Sequence, residues 1–252
     1  MIERILHDKV LELRLARPPV NAISPELCKS LLCALRDAPG AGFRAVVVSG
    51  APGMFSAGLD VPALLQLDRA GIIVFWDDFF QLMAVVARSA IPIVAAITGH
   101  SPAGGAVISL FCDYRVMARG NFKIGLNEVQ VGLTVPEVIQ LAFKRLLGAH
   151  RAERMMVAGA MIEPEAALQI GLVDELADID QVIPQALAWC NKHLALPPAA
   201  MSSTRRIARR DLADIMGDAA RFPADEFADS WFDEDTQAAL QAMVARLKAK
   251  NS

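Results

Sequence analysis

The sequence predicts an α/β fold, and three observations carry that expectation. The stretches Arg44–Ser49 and Ile91–Ile97 are short and almost continuously apolar, as strands covered on both faces are. Each is followed by a glycine-rich loop and then a helical segment. Longer stretches between them place apolar residues at helical spacing, with polar residues on the opposite face.

Bulk properties narrow the function classes. A chain of 252 residues is enough for one large domain or two small ones, and 54% apolar residues call for a substantial core or a subunit interface. The formal net charge of −3 argues against a nucleic-acid surface. Cys28, Cys33, Cys112 and Cys190 sit in apolar, helix-like contexts without metal-ligand spacing, and are expected to be reduced core residues of a cytoplasmic protein. Met1–Val10 carries Glu3 and Asp8 and lacks the apolar centre of a signal peptide. Uninterrupted apolar runs fall short of a membrane span.

In chain order, Val10–Leu15 alternates apolar and charged residues as a half-buried strand does. Ser24–Pro25–Glu26 opens a helix with a hydroxyl cap, a first-turn proline and an acid; Leu27, Leu31, Ala34 and Leu35 form its buried face. After Arg44–Ser49 comes Gly50–Asp60, a Gly/Pro-rich loop that leads into a helical segment at Val61–Leu67. Phe75, Phe79, Leu82, Met83 and Val86 share a helical face that is expected to flank a pocket. The second strand–loop–helix junction is Ile91–Ile97, His100–Val107, and a buried helix over Val107–Cys112. Tyr114–Met117 and Asn121–Ile124 read as two short strands. Pro136–Leu147 reads as a helix stopped by Gly148, Glu163–Gly171 as a short helix followed by a strand, and Val182–Leu194 as an amphipathic helix. Beyond Pro197–Pro198 the pattern is helical only, so the chain divides into residues 1–195 and 196–252. The basic run Arg205–Arg210 is followed directly by the acids of Asp211–Asp235 and reads as a solvated helix face. The last helix places Leu240, Met243, Val244 and Leu247 on one side, for packing on the body of the protein or on a neighbouring subunit.

The two glycine-rich junctions are the candidate site. A strand, a turn with glycine and a helix start direct unpaired backbone N–H groups at one point, where they could hold a phosphate, a carboxylate or an oxygen that gains charge during a reaction. A tight packing turn that only glycine fits is the alternative. Two such junctions could place two donors on one oxygen. Glu128 lies among glycines and apolar residues with no basic neighbour in sequence, where a carboxyl is a stronger base than in water. Asp60 reads as a cap or brace for its loop, Asp113 as a hydrogen-bonding residue at an element end, Glu137 as a first-turn charge and His100 as a packed histidine.

Four segments, Phe55–Asp60, Pro102–Gly105, Gly125–Glu128 and Ala166–Val173, together resemble the enoyl-CoA hydratase/isomerase (crotonase) superfamily, in order and spacing across the whole chain. Within it, Ser-Ala-Gly-Leu-Asp, Pro-Ala-Gly-Gly and Gly-Leu-Asn-Glu are similar to the mitochondrial-type Δ3,Δ2-enoyl-CoA isomerases; the lack of a transit peptide suggests a bacterial relative. The resemblance implies a spiral of ββα units over residues 1–195 and a C-terminal helical region that builds trimers, sometimes paired into hexamers. It implies an acyl-CoA thioester substrate whose carbonyl oxygen is bound by the N–H groups of Leu59 and Gly104. Asn21, Ala22, Ser56, Ala57, Gly58, Asp60 and Gly105 would contact the CoA part, and no metal or other cofactor is implied.

Hydratases of this family use two glutamates, and the position of the first is here Val107. A valine cannot hold or move a proton. One carboxyl remains, which points to a single-base shuttle by Glu128 that moves a double bond from 3-enoyl-CoA to 2-trans-enoyl-CoA, as in fatty-acid β-oxidation. Hydration, other crotonase-type reactions (dienoyl-CoA isomerisation, thioester hydrolysis, dehalogenation, decarboxylation) and a non-catalytic acyl-CoA-binding subunit are the alternatives.

Overall fold

A computed structural model describes residues 1–217 and 221–250. The strands are β1 (Ile2–His7), β2 (Val10–Leu15), β3 (Ala45–Ser49), β4 (Gly53–Met54), β5 (Ile93–Ile97), β6 (Gly99–Pro102), β7 (Tyr114–Ala118), β8 (Ile124–Gly125) and β9 (Glu175–Ala177). The helices are α1 (Pro25–Asp37), α2 (Val61–Leu64), α3 (Arg69–Arg88), α4 (Gly104–Leu110), α5 (Glu137–Leu147), α6 (Ala149–Val157), α7 (Pro164–Gln169), α8 (Val182–Leu194), α9 (Pro198–Ala208), α10 (Arg210–Ile215), α11 (Ala224–Trp231) and α12 (Glu234–Lys250).

Six strands form one sheet in the order β1-β2-β3-β5-β7-β9, antiparallel between β1 and β2 and parallel elsewhere. The remaining three make a small parallel sheet, β4-β6-β8. The chain visits the two in alternation: β3 then β4, β5 then β6, β7 then β8, with helices closing each turn. This is the spiral of ββα units. Valines fill β3 because that strand is covered on both faces, by the main core on one side and by α8 on the other. The small sheet is held by backbone contact: a Cβ on Gly99 would lie 2.0 Å from the carbonyl carbon of Gly53, so only glycine allows the pairing.

Local signals set the helix boundaries. Ser24 caps α1, its hydroxyl accepting from Leu27 N–H at 3.2 Å. Gly148 ends α5 at φ 79°. Helix α3 is twenty residues long and apolar enough by length and composition to cross a membrane, but its face of Phe75, Phe79, Leu82, Met83 and Val86 is buried in the core and it packs against α1 and α11.

The structure corrects four expectations. The buried helix after the second junction begins at Gly104 rather than Val107, because the turn ends at Ala103. Of the strand expected over Asn121–Ile124, only Ile124–Gly125 pairs, where it reaches β6. Cys33 is exposed, whereas Cys28, Cys112 and Cys190 are buried; all four are free thiols. The basic run is not wholly a solvated face. Arg205 donates from Nε and Nη2 to the two oxygens of Asp113, each at 2.7 Å. Arg209 is buried and donates to the carbonyls of Phe111 at 2.6 Å and Cys112 at 3.4 Å, just past α4. Of the acids that follow the run, Asp218 lies outside the described residues.

The last helix returns to its own chain. Leu240 is fully buried and Thr236 Oγ1 donates to Gly132 O at 3.1 Å, which docks α12 on the turn after β8.

Candidate active site

The two glycine-rich junctions meet. After β4 the chain runs to α2 through Phe55–Asp60, and main-chain bonds on both sides of Leu59 tie it to Ile23: Ile23 N–H donates to Gly58 O at 2.8 Å and Asp60 N–H to Ile23 O at 3.0 Å. Successive peptide groups point opposite ways in such a bridge, so the Leu59 N–H is directed away from Ile23, and it donates to no described residue. After β6 the chain turns at Ala103 into α4. Gly104 is the first residue of that helix, and its N–H has no intrahelical acceptor and no other described one. The two loops touch: a Cβ on Gly58 would sit 3.3 Å from Gly104 N, and a Cβ on Gly105 only 2.7 Å from Ser56 O.

Ala103 adopts φ 44° and ψ −120°, a conformation that disfavours any residue with a Cβ. Its ψ sets the plane of the next peptide, so the strained turn is what aims the Gly104 N–H. Ala103 N–H in turn donates to Gly125 O at 2.9 Å, which anchors the turn on β8.

Glu128 opens a single 3₁₀ turn, Glu128–Val131, three residues after the last residue of β8. The residue is 8% exposed, and Oε2 is buried without a hydrogen-bond partner among the described residues. Burial pushes its pKa up to about 7, opposed only by its own backbone N–H. Val107, 1% exposed on α4, stands in the wall of the same cavity.

That cavity has a volume of about 440 Å³ and brings together Leu59, Gly104, Val107 and Glu128. Ala22, Ala57 and Asp60 line it as well. Asn21, Ser56, Gly58 and Gly105 do not; they shape its walls from behind. Asn21 spends its carboxamide on Phe55 O and Arg17 N, and Ser56 donates to Asn21 O at 2.8 Å. Asp60 is the N-cap of α2, accepting from Ala63 N–H at 3.2 Å, and is paired with Arg17. His100 stays outside the cavity lining, accepting from Lys123 N–H at 3.1 Å and packing edge-on to Phe122. Asp113 holds β5 and the C-terminal arginines, and Glu137 is a first-turn acid paired with Arg221.

Sequence reasoning placed a pocket beside α3 and included Phe79 in its flank; Trp76, from the same helix, also lines it. It did not single out Arg17, Asn127, Ile139, Met243 or Leu247, which line the cavity too. Met243 and Leu247 were legible as one apolar face but not as the face that covers the site.

Residues 6–251 match the family described as enoyl-CoA hydratase/isomerase. The chain belongs to the enoyl-CoA hydratase/isomerase family. It is 31% identical over 242 residues to the human protein named enoyl-CoA delta isomerase 1, mitochondrial, covering 95% of this chain and 80% of that one. The solved structure of human mitochondrial Δ3,Δ2-enoyl-CoA isomerase superposes with a TM-score of 0.94 at 29% identity, over 100% of this chain and 99% of that one. An enoyl-CoA hydratase, EchA3, from Mycobacterium ulcerans superposes with a TM-score of 0.82 at 25% identity, over 90% and 98% of the two chains. The chain is therefore an enzyme of a family that acts on acyl-CoA thioesters, with the crotonase fold.

Proposed function

We propose that this enzyme is a Δ3,Δ2-enoyl-CoA isomerase with Glu128 as its single acid and base. The observation that carries the reading is the pairing of one buried carboxyl, whose Oε2 has no partner among the described residues, with a hydrocarbon, Val107, in one cavity. The substrate thioester oxygen is held by the N–H groups of Leu59 and Gly104. Ionised Glu128 removes a proton from C2 of a 3-enoyl-CoA. The electron pair of that C–H bond becomes the C1=C2 bond of a dienolate whose C3=C4 bond is still in place, and the carbonyl π pair moves onto the oxygen between the two amides. As the oxygen pair re-forms the thioester carbonyl, the C1=C2 pair shifts to become the C2=C3 bond and the C3=C4 pair takes the proton at C4 from the Glu128 carboxyl. Charge develops on the oxygen only in the dienolate, so the two donors favour the transition state over the bound substrate. Val107 keeps this part of the site free of a second acid that could activate water against the product.

The cavity faces of Ala22, Ala57 and Asp60 contact the CoA part of the substrate, while Asn21, Ser56, Gly58 and Gly105 hold those faces in place. No cofactor beyond the CoA of the substrate enters this route. The activity fits fatty-acid β-oxidation, and a homotrimer or hexamer is the expected assembly. The likeness to the human isomerase supports the reading.

The test is turnover of 3-cis-, 3-trans- and 2-trans-enoyl-CoA at several chain lengths, with Glu128→Gln as control. The expected result is isomerisation of the 3-enoyl substrates, abolished in the variant, with little hydration of crotonyl-CoA. Isomerisation at the normal rate by Glu128→Gln, or efficient hydration by the wild type, would overturn it.

A further inference from the structure

Arg17 is the one cation among the described residues that line the cavity, yet its guanidinium is engaged by acceptors of the protein itself. Nη2 donates to Asp60 Oδ2, and Nη1 donates to Ala22 O at 3.2 Å. Its own backbone N–H donates to Asn21 Oδ1 at 2.9 Å. Asn21 O accepts from Ser56 Oγ at 2.8 Å, and Ser56 Oγ accepts from Gly58 N–H at 3.2 Å. Gly58, Leu59 and Asp60 are consecutive, so the path returns to Arg17 through Asp60. The result is a closed ring of hydrogen bonds, and Leu59 is its one member with an uncommitted N–H.

Two constraints act on Leu59. The bridge to Ile23 fixes the direction of its peptide, and the ring fixes where that peptide sits relative to the rest of the loop. A guanidinium serves here because its planar fork reaches acceptors on two different segments at once, which an ammonium on a flexible stem does less well.

We propose that Arg17 is a positioning residue for the thioester site: through Asp60 it fixes the Leu59 N–H at the point where the carbonyl oxygen binds. This rests on the reading of Leu59 as an oxygen-binding donor. A displaced donor slows the chemical step without weakening attachment of the CoA part, since misplacement of about 1 Å costs up to about a hundredfold in rate.

The experiment uses the full-length enzyme and saturated octanoyl-CoA carrying a ¹³C-labelled thioester carbonyl. Difference infrared spectroscopy reads the carbonyl stretch on binding, and kcat and KM are measured with a 3-enoyl-CoA. In the wild type the bound carbonyl moves to lower frequency. Asp60→Asn and Arg17→Met are expected to lose at least half of that displacement and to lower kcat tenfold or more with KM within about twofold. Arg17→Lys is expected between them and the wild type. The double variant is expected to be no slower than the worse single one, because both break one ring. Retention of the full displacement in both single variants overturns the proposal, as does a rise in KM alone, which would make Arg17 a contact for an anionic part of the substrate. A wild type that displaces the carbonyl band but leaves 3-enoyl-CoA unchanged would refute the isomerase reading and leave the positioning role standing.

Discussion

Val107 and Glu128 reach one cavity from different elements, the first from α4 and the second from the 3₁₀ turn after β8, and only one of them can carry a proton. The contrast makes position 107 the natural place to change the reaction. In Val107→Glu, a second carboxyl enters beside the first. The expected outcome is measurable hydration of crotonyl-CoA, followed by loss of its absorbance, together with slower isomerisation. Val107 is packed in the core, so the new acid also lowers stability by about 1–3 kcal/mol, read from the denaturant midpoint.

The raised pKa of Glu128 has consequences for rate and for stability, with opposite signs. As a base it must be ionised, so kcat/KM with a 3-enoyl-CoA is expected to rise with pH through a midpoint near 7 and then level off. The folded protein, however, keeps the Glu128 proton in a range where the unfolded chain has already lost it. The sign follows from linkage: stability contributed by the protonated carboxyl is present below the ordinary glutamate range and is lost as pH rises through about 7. Glu128→Gln removes that loss. It is expected to exceed the wild type by about 3 kcal/mol in urea unfolding at pH 8 and by much less at pH 5.

Asp113 is a structural counterpart, a buried acid surrounded by donors. It accepts from Arg205 at 2.7 Å and from Ile93 N–H at 2.8 Å, and forms an ion pair with Arg209 at 3.3 Å. Asp113→Ala leaves two largely buried guanidinium groups without their carboxylate, and is expected to destabilise by about 3–5 kcal/mol. Asp113→Asn keeps acceptors for part of the set and is expected to fall between. Unfolding curves of the three proteins measure it.

What could be read from the sequence follows from the range of the interaction that sets each feature. Ser24 and Gly148 mark helix ends through bonds to their own neighbours, and Ala45–Val48 declares a strand covered on both faces by composition alone. The strands of the small sheet are two to four residues long and contain Gly, His, Ser and Pro, so no periodicity announces them. They exist because the neighbouring backbone is within reach, as at Gly99. Arg205 and Arg209 were misread for a similar reason. Acids directly follow them in sequence, but the carboxylate they share is Asp113, 92 residues before Arg205. At the site, Glu128 could be identified from its apolar surroundings, whereas the part played by Met243 and Leu247 depends on α12 folding back over its own chain.

Leu59 and Gly104 stand at matching places in successive turns of the spiral, each where the chain leaves the small sheet for a helix. What they offer is peptide nitrogen, which every amino acid except proline carries. On the isomerase reading, a change at Leu59 therefore swaps a side chain and keeps the donor, whereas a Cβ at Gly104 would stand 3.0 Å from Ile23 Cδ1, and positions such as 107 and 128 are where the chemistry can be rewritten. A scaffold of this kind can exchange one acyl-CoA reaction for another by altering a few side chains, without having to reinvent how it holds the molecule.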